Sequence, residues 1–167
     1  DGSVWYTLNV FAGPPGFLRF DPKTMLSEFY AIPKDGIGVR GGDIDKNGVL
    51  RGSGSNGTLI SFDRRKCKAP LNGPTATGNH CPEGFAYYKY PGPAFEGFEN
   101  GSAEASYYTW VDQHNTFGLG ENVPISTGNL NDGLIAFRLE DGRMILSAAG
   151  AVARRAVTGR TRRPRSG

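Results

Sequence analysis

The residues best suited to chemistry lie in one aromatic-rich stretch at 107–116, which reads YYTWVDQHNT. The neutral imidazole of His114 could act there as a general base or bind a metal ion near neutral pH. The carboxylates of Glu104 and Asp112 could orient that imidazole or hold a divalent cation such as Mg²⁺. The candidate substrate-binding residues are Arg40, Tyr107, Trp110 and Asn115.

The same stretch also has a purely structural interpretation. Tyr107, Tyr108 and Trp110 would then belong to the core of a β-sheet, and His114 would be a solvated loop residue. We favour this interpretation, because single histidines are common in loops and a fold does not by itself assign a function.

A second acidic pattern, D-x-D-x-N-G at 43–48, matches the start of a calcium-binding loop. Such a loop needs a bidentate Glu at its twelfth position, and that position is Gly54. The pattern therefore favours a β-hairpin turn at Asn47-Gly48 over a calcium site.

The two cysteines, Cys67 and Cys81, enclose a segment rich in Gly, Pro, Asn and Thr that has few residues able to form a core. A disulfide that closes this loop would contribute about 3 kcal/mol of stability by the chain-entropy argument. Metal binding together with His80 and His114 is an alternative, although no pair of cysteines has the short spacing of zinc ligands. Two free thiols are the third alternative.

Composition predicts an all-β protein. The chain has 25 Gly and 11 Pro in 167 residues, with abundant aromatic residues and few clustered helix formers, which excludes a helix bundle. No apolar run is long enough to span a membrane.

Residues 148–167 carry six Arg and no acidic residue, so the net charge of +3 arises from this tail. The tail has no aromatic residue, which disfavours nucleic-acid binding and is typical of a disordered or out-of-frame end.

Short runs with strand character alternate with Asn-Gly and Asp-Gly turns. The predicted strands are 4–7, 17–20, 28–32, 59–62, 85–88, 107–111 and 134–137. The pattern repeats after 45 residues from Val4 to Val49 and after 42 from Phe20 to Phe62, which is the length of one four-stranded propeller blade. We therefore predict an incomplete β-propeller of two and a half to three antiparallel blades at 1–34, 35–92 and 93–147, followed by the tail at 148–167. The blade at 35–92 would carry residues 67–81 as an insertion, and its glycine-rich stretch at 52–55 would form a frayed strand.

Several of these segments resemble those of a known family. They read SVWYT at 3–7, LRFDPKT at 18–24, EFYAIP at 28–33, FDRRKC at 62–67 and SAEASYYTWVD at 102–112. Over residues 1–146 the pattern resembles the streptogramin lyase (virginiamycin B lyase-like) propellers, and it is similar to NHL-type propellers. The resemblance implies a ring of six or seven blades, so the remaining blades would be the main partner of this chain. The first blade would lack its innermost strand, and the third would end in its outermost strand near 144–146.

Two functions follow from this resemblance. The first is a scaffold without assigned catalysis that presents its loops to a small-molecule, peptide or protein partner. The alternative is a divalent-metal-dependent lyase, which in this family uses a His base to open a cyclic depsipeptide by elimination, and which here would act on a cyclic or polymeric substrate. A disulfide between Cys67 and Cys81 would place the protein in the periplasm or outside the cell.

Overall fold

The computed structural model describes residues 1–9, 13–33, 37–90, 106–128, 133–138 and 141–148. Within these ranges the fold is all-β, as predicted, and two short 3₁₀ helices at Arg64–Lys66 and Pro82–Gly84 are its helical parts. The strands are β1 (Val4–Leu8), β2 (Gly16–Asp21), β3 (Leu26–Ala31), β4 (Val39–Ile44), β5 (Leu50–Gly54), β6 (Thr58–Phe62), β7 (Phe85–Lys89), β8 (Thr109–Asp112), β9 (Val123–Gly128), β10 (Gly133–Arg138) and β11 (Arg143–Ala148).

The strands form three antiparallel sheets, and each sheet is a meander in chain order. The first sheet contains β1–β3, the second β4–β7 and the third β8–β11. Tight turns are possible because Gly48 and Gly57 adopt positive φ angles of 78° and 74° in their Asn-Gly dipeptides. The described sheets do not close into a ring, which confirms the predicted incomplete all-β array.

The second and third sheets meet along their first strands. Gly41 donates its N–H to the carbonyl of Tyr107 at 2.7 Å, and Val111 donates its N–H to the carboxylate of Asp43 at 2.9 Å. Residue numbers rise together along β4 and β8, so these two strands run parallel. Strand β5, the second strand of its sheet, contacts β8, the first strand of the third sheet. Strand β1 contacts β4, the first strand of the second sheet, in the same way. Strands β1–β3 therefore correspond to β5–β7. The described residues of the first sheet thus hold no counterpart of β4 or β8. The assignment of these sheets to propeller blades stays a prediction.

Two apolar cores lie between the sheets. The first core, between the first and second sheets, is built around Phe17, Tyr30, Ile60 and Phe62. The second core, between the second and third sheets, contains Leu59, Tyr90, Ile135 and Phe137. Successive side chains of a strand point to opposite faces, so β6 supplies Ile60 to one core and Leu59 to the other. The second sheet is therefore buried on both faces.

Strand β5 is buried and hydrogen-bonded to strands on both sides, so the prediction of a frayed strand at 52–55 was wrong. A Cβ atom on Gly52 would lie 3.2 Å from Val39 and 3.3 Å from the Phe17 ring. Neighbouring side chains thus fill the space that the glycine leaves. The strand is stable because tertiary packing compensates for its own lack of side chains.

Residues 67–81, here called the strap, lie between β6 and β7 in the sequence and contact the first sheet. Cys67 and Cys81 form a disulfide, which confirms the prediction and excludes the metal-site and free-thiol alternatives for these residues. Within the strap, Leu71 packs against the first core, and Asn72 donates a hydrogen bond to Glu28 on β3. The Nδ1 atom of His80 lies 2.8 Å from the carbonyl oxygen of Phe29, also on β3. The inserted segment therefore holds two sheets together.

Two predicted regions, at 91–105 and 149–167, lie outside the described residues. The predicted blade boundaries and the nature of the basic tail stay predictions. In the part of the chain that the structure describes, no helix is long and apolar enough to cross a membrane.

Candidate functional site

An open cleft of about 600 Å³ lies where the first and second sheets meet the segment that precedes β8. The end of β1, Asn9 and the start of β4 line part of the cleft. Tyr107 and Tyr108 line another part, here called the aromatic wall. The cleft thus brings together Arg40 and Tyr107, two of the four predicted substrate-binding residues, which are far apart in the sequence.

Arg40 brings a positive charge to this cleft, and no described acidic side chain pairs with it. Its guanidinium carbon lies 3.7 Å from the centroid of the Tyr107 ring, a cation–π contact that holds the side chain in place. Among the described residues no carboxylate forms an ion pair with Arg40, and its Nε atom has no hydrogen-bond partner. The charge is therefore available to a ligand.

The aromatic wall is held against β4 by close backbone contact at Gly41. A Cβ atom at this position would lie 2.4 Å from Cδ1 of Tyr108 and 3.1 Å from the carbonyl oxygen of Tyr107. Thr127 on β9 holds the other side of the wall, because its N–H donates to the Tyr108 carbonyl at 3.0 Å. The position of both tyrosine rings thus depends on a glycine that has no chemical function of its own.

A chain of buried hydroxyl groups continues from the wall into the second core. Ser53 lies 2.7 Å from both Ser106 and Thr109, Thr109 lies 2.9 Å from Ser126, and Tyr90 donates to Ser126 at 2.6 Å. Burial raises the pKa of Tyr90, so its hydroxyl stays protonated and remains a donor. The chain fixes the residue that immediately precedes Tyr107, and sequence reasoning did not find it because these hydroxyls come from four separate segments.

Four further predicted site residues are described and lie outside the cleft, in β8 or in the loop between β8 and β9: Trp110, Asp112, His114 and Asn115. Strand β8 is the first strand of its sheet in chain order, and this loop leads from it to β9. His114 is exposed, and its described contact is the 3.3 Å bond from its backbone N–H to Asp112. Trp110 is 47% exposed and packs edge-on against Phe117 at 5.8 Å. No described contact joins either residue to Arg40.

Asp112 and Asn115 stabilise that loop. Asp112 is buried and accepts the backbone N–H groups of His114, Thr116 and Phe117. Burial opposes ionisation of Asp112, but the N–H groups of Phe117 and Thr116 outweigh it and hold its pKa below the ordinary value. Asn115 adopts a left-handed φ of 57° and accepts the N–H of Gly120 at 2.8 Å. Both side chains are thus already engaged in loop structure.

The metal site stays a prediction. Within the described ranges no group of three or more His, Cys, Asp or Glu side chains could hold a metal ion, and Glu104 lies outside them. The calcium-like pattern at 43–48 is a hairpin turn, as favoured. Asp45 accepts the N–H groups of Asn47 and Val49 at 2.9 Å and binds the guanidinium of Arg51 at 3.0 Å.

A second polar cluster, not found from the sequence, surrounds Glu28 at the edge of the first core. Its buried carboxylate accepts bonds from Tyr30 and Asn72 and a bidentate pair from Arg64 at 2.6 and 2.7 Å. Burial opposes ionisation of Glu28, but Arg64 and Tyr30 outweigh it and lower its pKa to about 2. Arg19 on β2 forms a further ion pair with this carboxylate at 3.4 Å. The carboxylate is thus surrounded by donors from β2, β3, the 3₁₀ helix and the strap, and the cluster joins the first two sheets.

Compared with known proteins, the chain matches no family model, no curated protein and no solved structure. The Cys67–Cys81 disulfide is compatible with a secreted or periplasmic protein.

Proposed function

We propose that this chain is a β-sheet scaffold that binds a small ligand in the cleft at Arg40 and Tyr107, without catalysing a reaction there. The ligand would carry an anionic oxygen group, such as a carboxylate or phosphate, beside a planar or apolar part. The observation that carries the proposal is the guanidinium of Arg40, fixed over Tyr107 in an open cleft with no acidic partner among the described residues.

The chemistry of the cleft fits this ligand class. A guanidinium presents several N–H donors in a plane, which matches the oxygens of carboxylates and phosphates. Its contact with Tyr107 restricts the side chain before the ligand arrives, which lowers the entropic cost of binding. Tyr108 is 68% exposed and offers a ring surface for the planar part of the ligand.

We further propose that the chain is part of a propeller similar to the streptogramin lyase and NHL-type families, which the three successive meanders support. The Cys67–Cys81 disulfide supports a location in the periplasm or outside the cell. The lyase alternative receives less support from the described residues. Asp112 is engaged with backbone N–H groups, and His114 has no described side-chain partner. Binding is thus the function that the geometry favours.

The test compares Arg40→Gln with the wild-type chain by calorimetric titration of benzoate and phenyl phosphate, with benzamide as the neutral analogue. We expect both anions to bind the wild type, benzamide to bind more weakly, and Arg40→Gln to lose about tenfold or more in affinity for the anions, because a charge-assisted bond is worth about 1.5–3 kcal/mol.

Lys23→Gln is the matched control, since it removes one positive charge from an exposed turn. This variant should bind like the wild type. Equal affinities of Arg40→Gln and wild type, or equal losses in both variants, would contradict a specific site at Arg40.

A further inference from the structure

The two ends of the sheet stack expose apolar side chains. The third-sheet face, formed by Trp110, Ile125 and Leu134, leaves Trp110 47% and Leu134 48% exposed. The first-sheet face, formed by Val4, Tyr6, Leu18 and Phe20, leaves Val4 43% and Tyr6 52% exposed. Apolar surface of this extent on a sheet is typical of an interaction site.

The third-sheet face has two buried counterparts inside the molecule. Leu134 is paired across the sheet with Thr127, just as Leu59 is paired with Ser53 and Phe17 with Thr7. In all three sheets the large apolar residue thus lies opposite a hydroxyl residue on the preceding strand. Leu59 and Phe17 are fully buried by the next sheet, whereas Leu134 is not.

The first-sheet face resembles the surfaces that bury those counterparts. Phe20 is paired with Val4 as Phe62 is paired with Leu50. Phe62 is the residue that packs against Phe17 across the first core, with ring centroids 5.9 Å apart. The first-sheet face is therefore of the type that, inside the molecule, covers the buried counterparts of the third-sheet face.

We propose that the third-sheet face of one copy binds the first-sheet face of a second copy, which repeats the packing of the two internal cores. The contact is head to tail, because both internal interfaces join these two different kinds of face and neither joins like to like. A heterologous contact of this kind leaves one free face at each end and so permits further copies to add.

The test is sedimentation velocity of the full chain over a wide concentration range, with Leu134→Glu and Tyr6→Glu as variants that each place a charge in one face. We expect the wild type to associate in a concentration-dependent manner and each variant alone to sediment as a monomer. A mixture of the two variants should form a dimer and nothing larger, because each retains the one face that the other has lost. The affinity of that dimer should exceed that of either variant for itself by about tenfold or more.

Met25→Glu is the control, since Met25 is 72% exposed in the turn between β2 and β3, away from both faces. It should associate like the wild type. A monomeric wild type, association by Tyr6→Glu alone, or aggregation that neither variant reduces would each overturn the proposal. The folded state of each variant is checked by its thermal unfolding.

Discussion

At the scale of single residues, Glu28 shows how a buried charge stabilises a junction between sheets. Its carboxylate lies on β3, while the donors come from the 3₁₀ helix at Arg64 and from Asn72 in the strap. A buried ion pair of this kind contributes little when complete, but losing one partner leaves the other charge buried and unpaired. The cluster therefore favours one arrangement of the sheets over loosely packed alternatives.

Replacing this carboxylate should change how stability depends on pH. The pKa of Glu28 is lowered from 4.5 to about 2 in the folded protein. The ionised group thus contributes stability above its unfolded-state pKa near 4.5, and this contribution is lost as the pH falls toward 2. We expect Glu28→Gln to lower the free energy of unfolding by about 3 kcal/mol at neutral pH, and the difference from wild type to shrink between these two pH values.

Denaturant unfolding measured at a series of pH values tests this expectation. Glu121→Gln is the matched control, because Glu121 is an exposed partner of Lys46 and such surface pairs contribute little. A Glu28→Gln destabilisation that is constant across the acidic range would show that ionisation of Glu28 does not stabilise the folded state.

At the scale of elements, the strap connects two sheets although it has no apolar core of its own. Its ends are joined by the disulfide, and Asn72 and His80 anchor it on β3. The hydrogen bonds of a short polar loop form against the conformational entropy lost when the loop is ordered. The disulfide reduces that entropy in the unfolded chain.

Removal of the disulfide should therefore weaken the junction of the first two sheets. We expect the double variant Cys67→Ser, Cys81→Ser to be destabilised by about 3 kcal/mol in denaturant unfolding. Dithiothreitol should destabilise the wild type by a similar amount and leave the double variant unchanged. Equal stability of the oxidised wild type and the double variant would mean that the bond does not stabilise the fold.

At the scale of the whole molecule, the three sheets form a linear stack in which the second sheet takes part in both cores. In such a stack, stability is approximately a sum of the stability of each sheet and of the contacts with its neighbours. The second sheet has two neighbours, while the first and third have one each. Local stability should therefore be highest in the middle of the stack.

Amide hydrogen exchange followed by mass spectrometry tests this distribution. We expect the amides of β5 and β6, whose residues are all buried, to exchange slowest, and those of β1 to exchange faster by more than tenfold, since β1 pairs on one side and is partly exposed. Measurement on the Leu134→Glu variant removes the contribution of self-association. Equal protection of β1 and β6 would instead indicate that the whole stack opens as one unit.

The candidate site was predictable only in part. Arg40 and Tyr107 were predicted to be binding residues, and the structure places them in contact. That contact joins the start of β4 to the segment before β8 and depends on Gly41, which no local pattern marks as important. Trp110 and Asn115 were assigned to the same site, yet the structure places them on the outer face and in the following loop. Spacing in the sequence could not separate these cases, because strand pairing between distant segments decides which side chains meet.

Local sequence patterns were sufficient for the all-β class, the seven strongest strands, the hairpin turns and the disulfide, because alternation, Asn-Gly dipeptides and loop composition act over a few residues. Only the tertiary structure decided that β5 is a central buried strand, since Val39 and Phe17 supply the side chains that Gly52 lacks. The same holds for the contact of Arg40 with Tyr107, and for the apolar faces left exposed at the two ends of the stack. In each case the outcome depends on which distant surfaces cover a residue, and that is a property of the packed sheets rather than of any one segment.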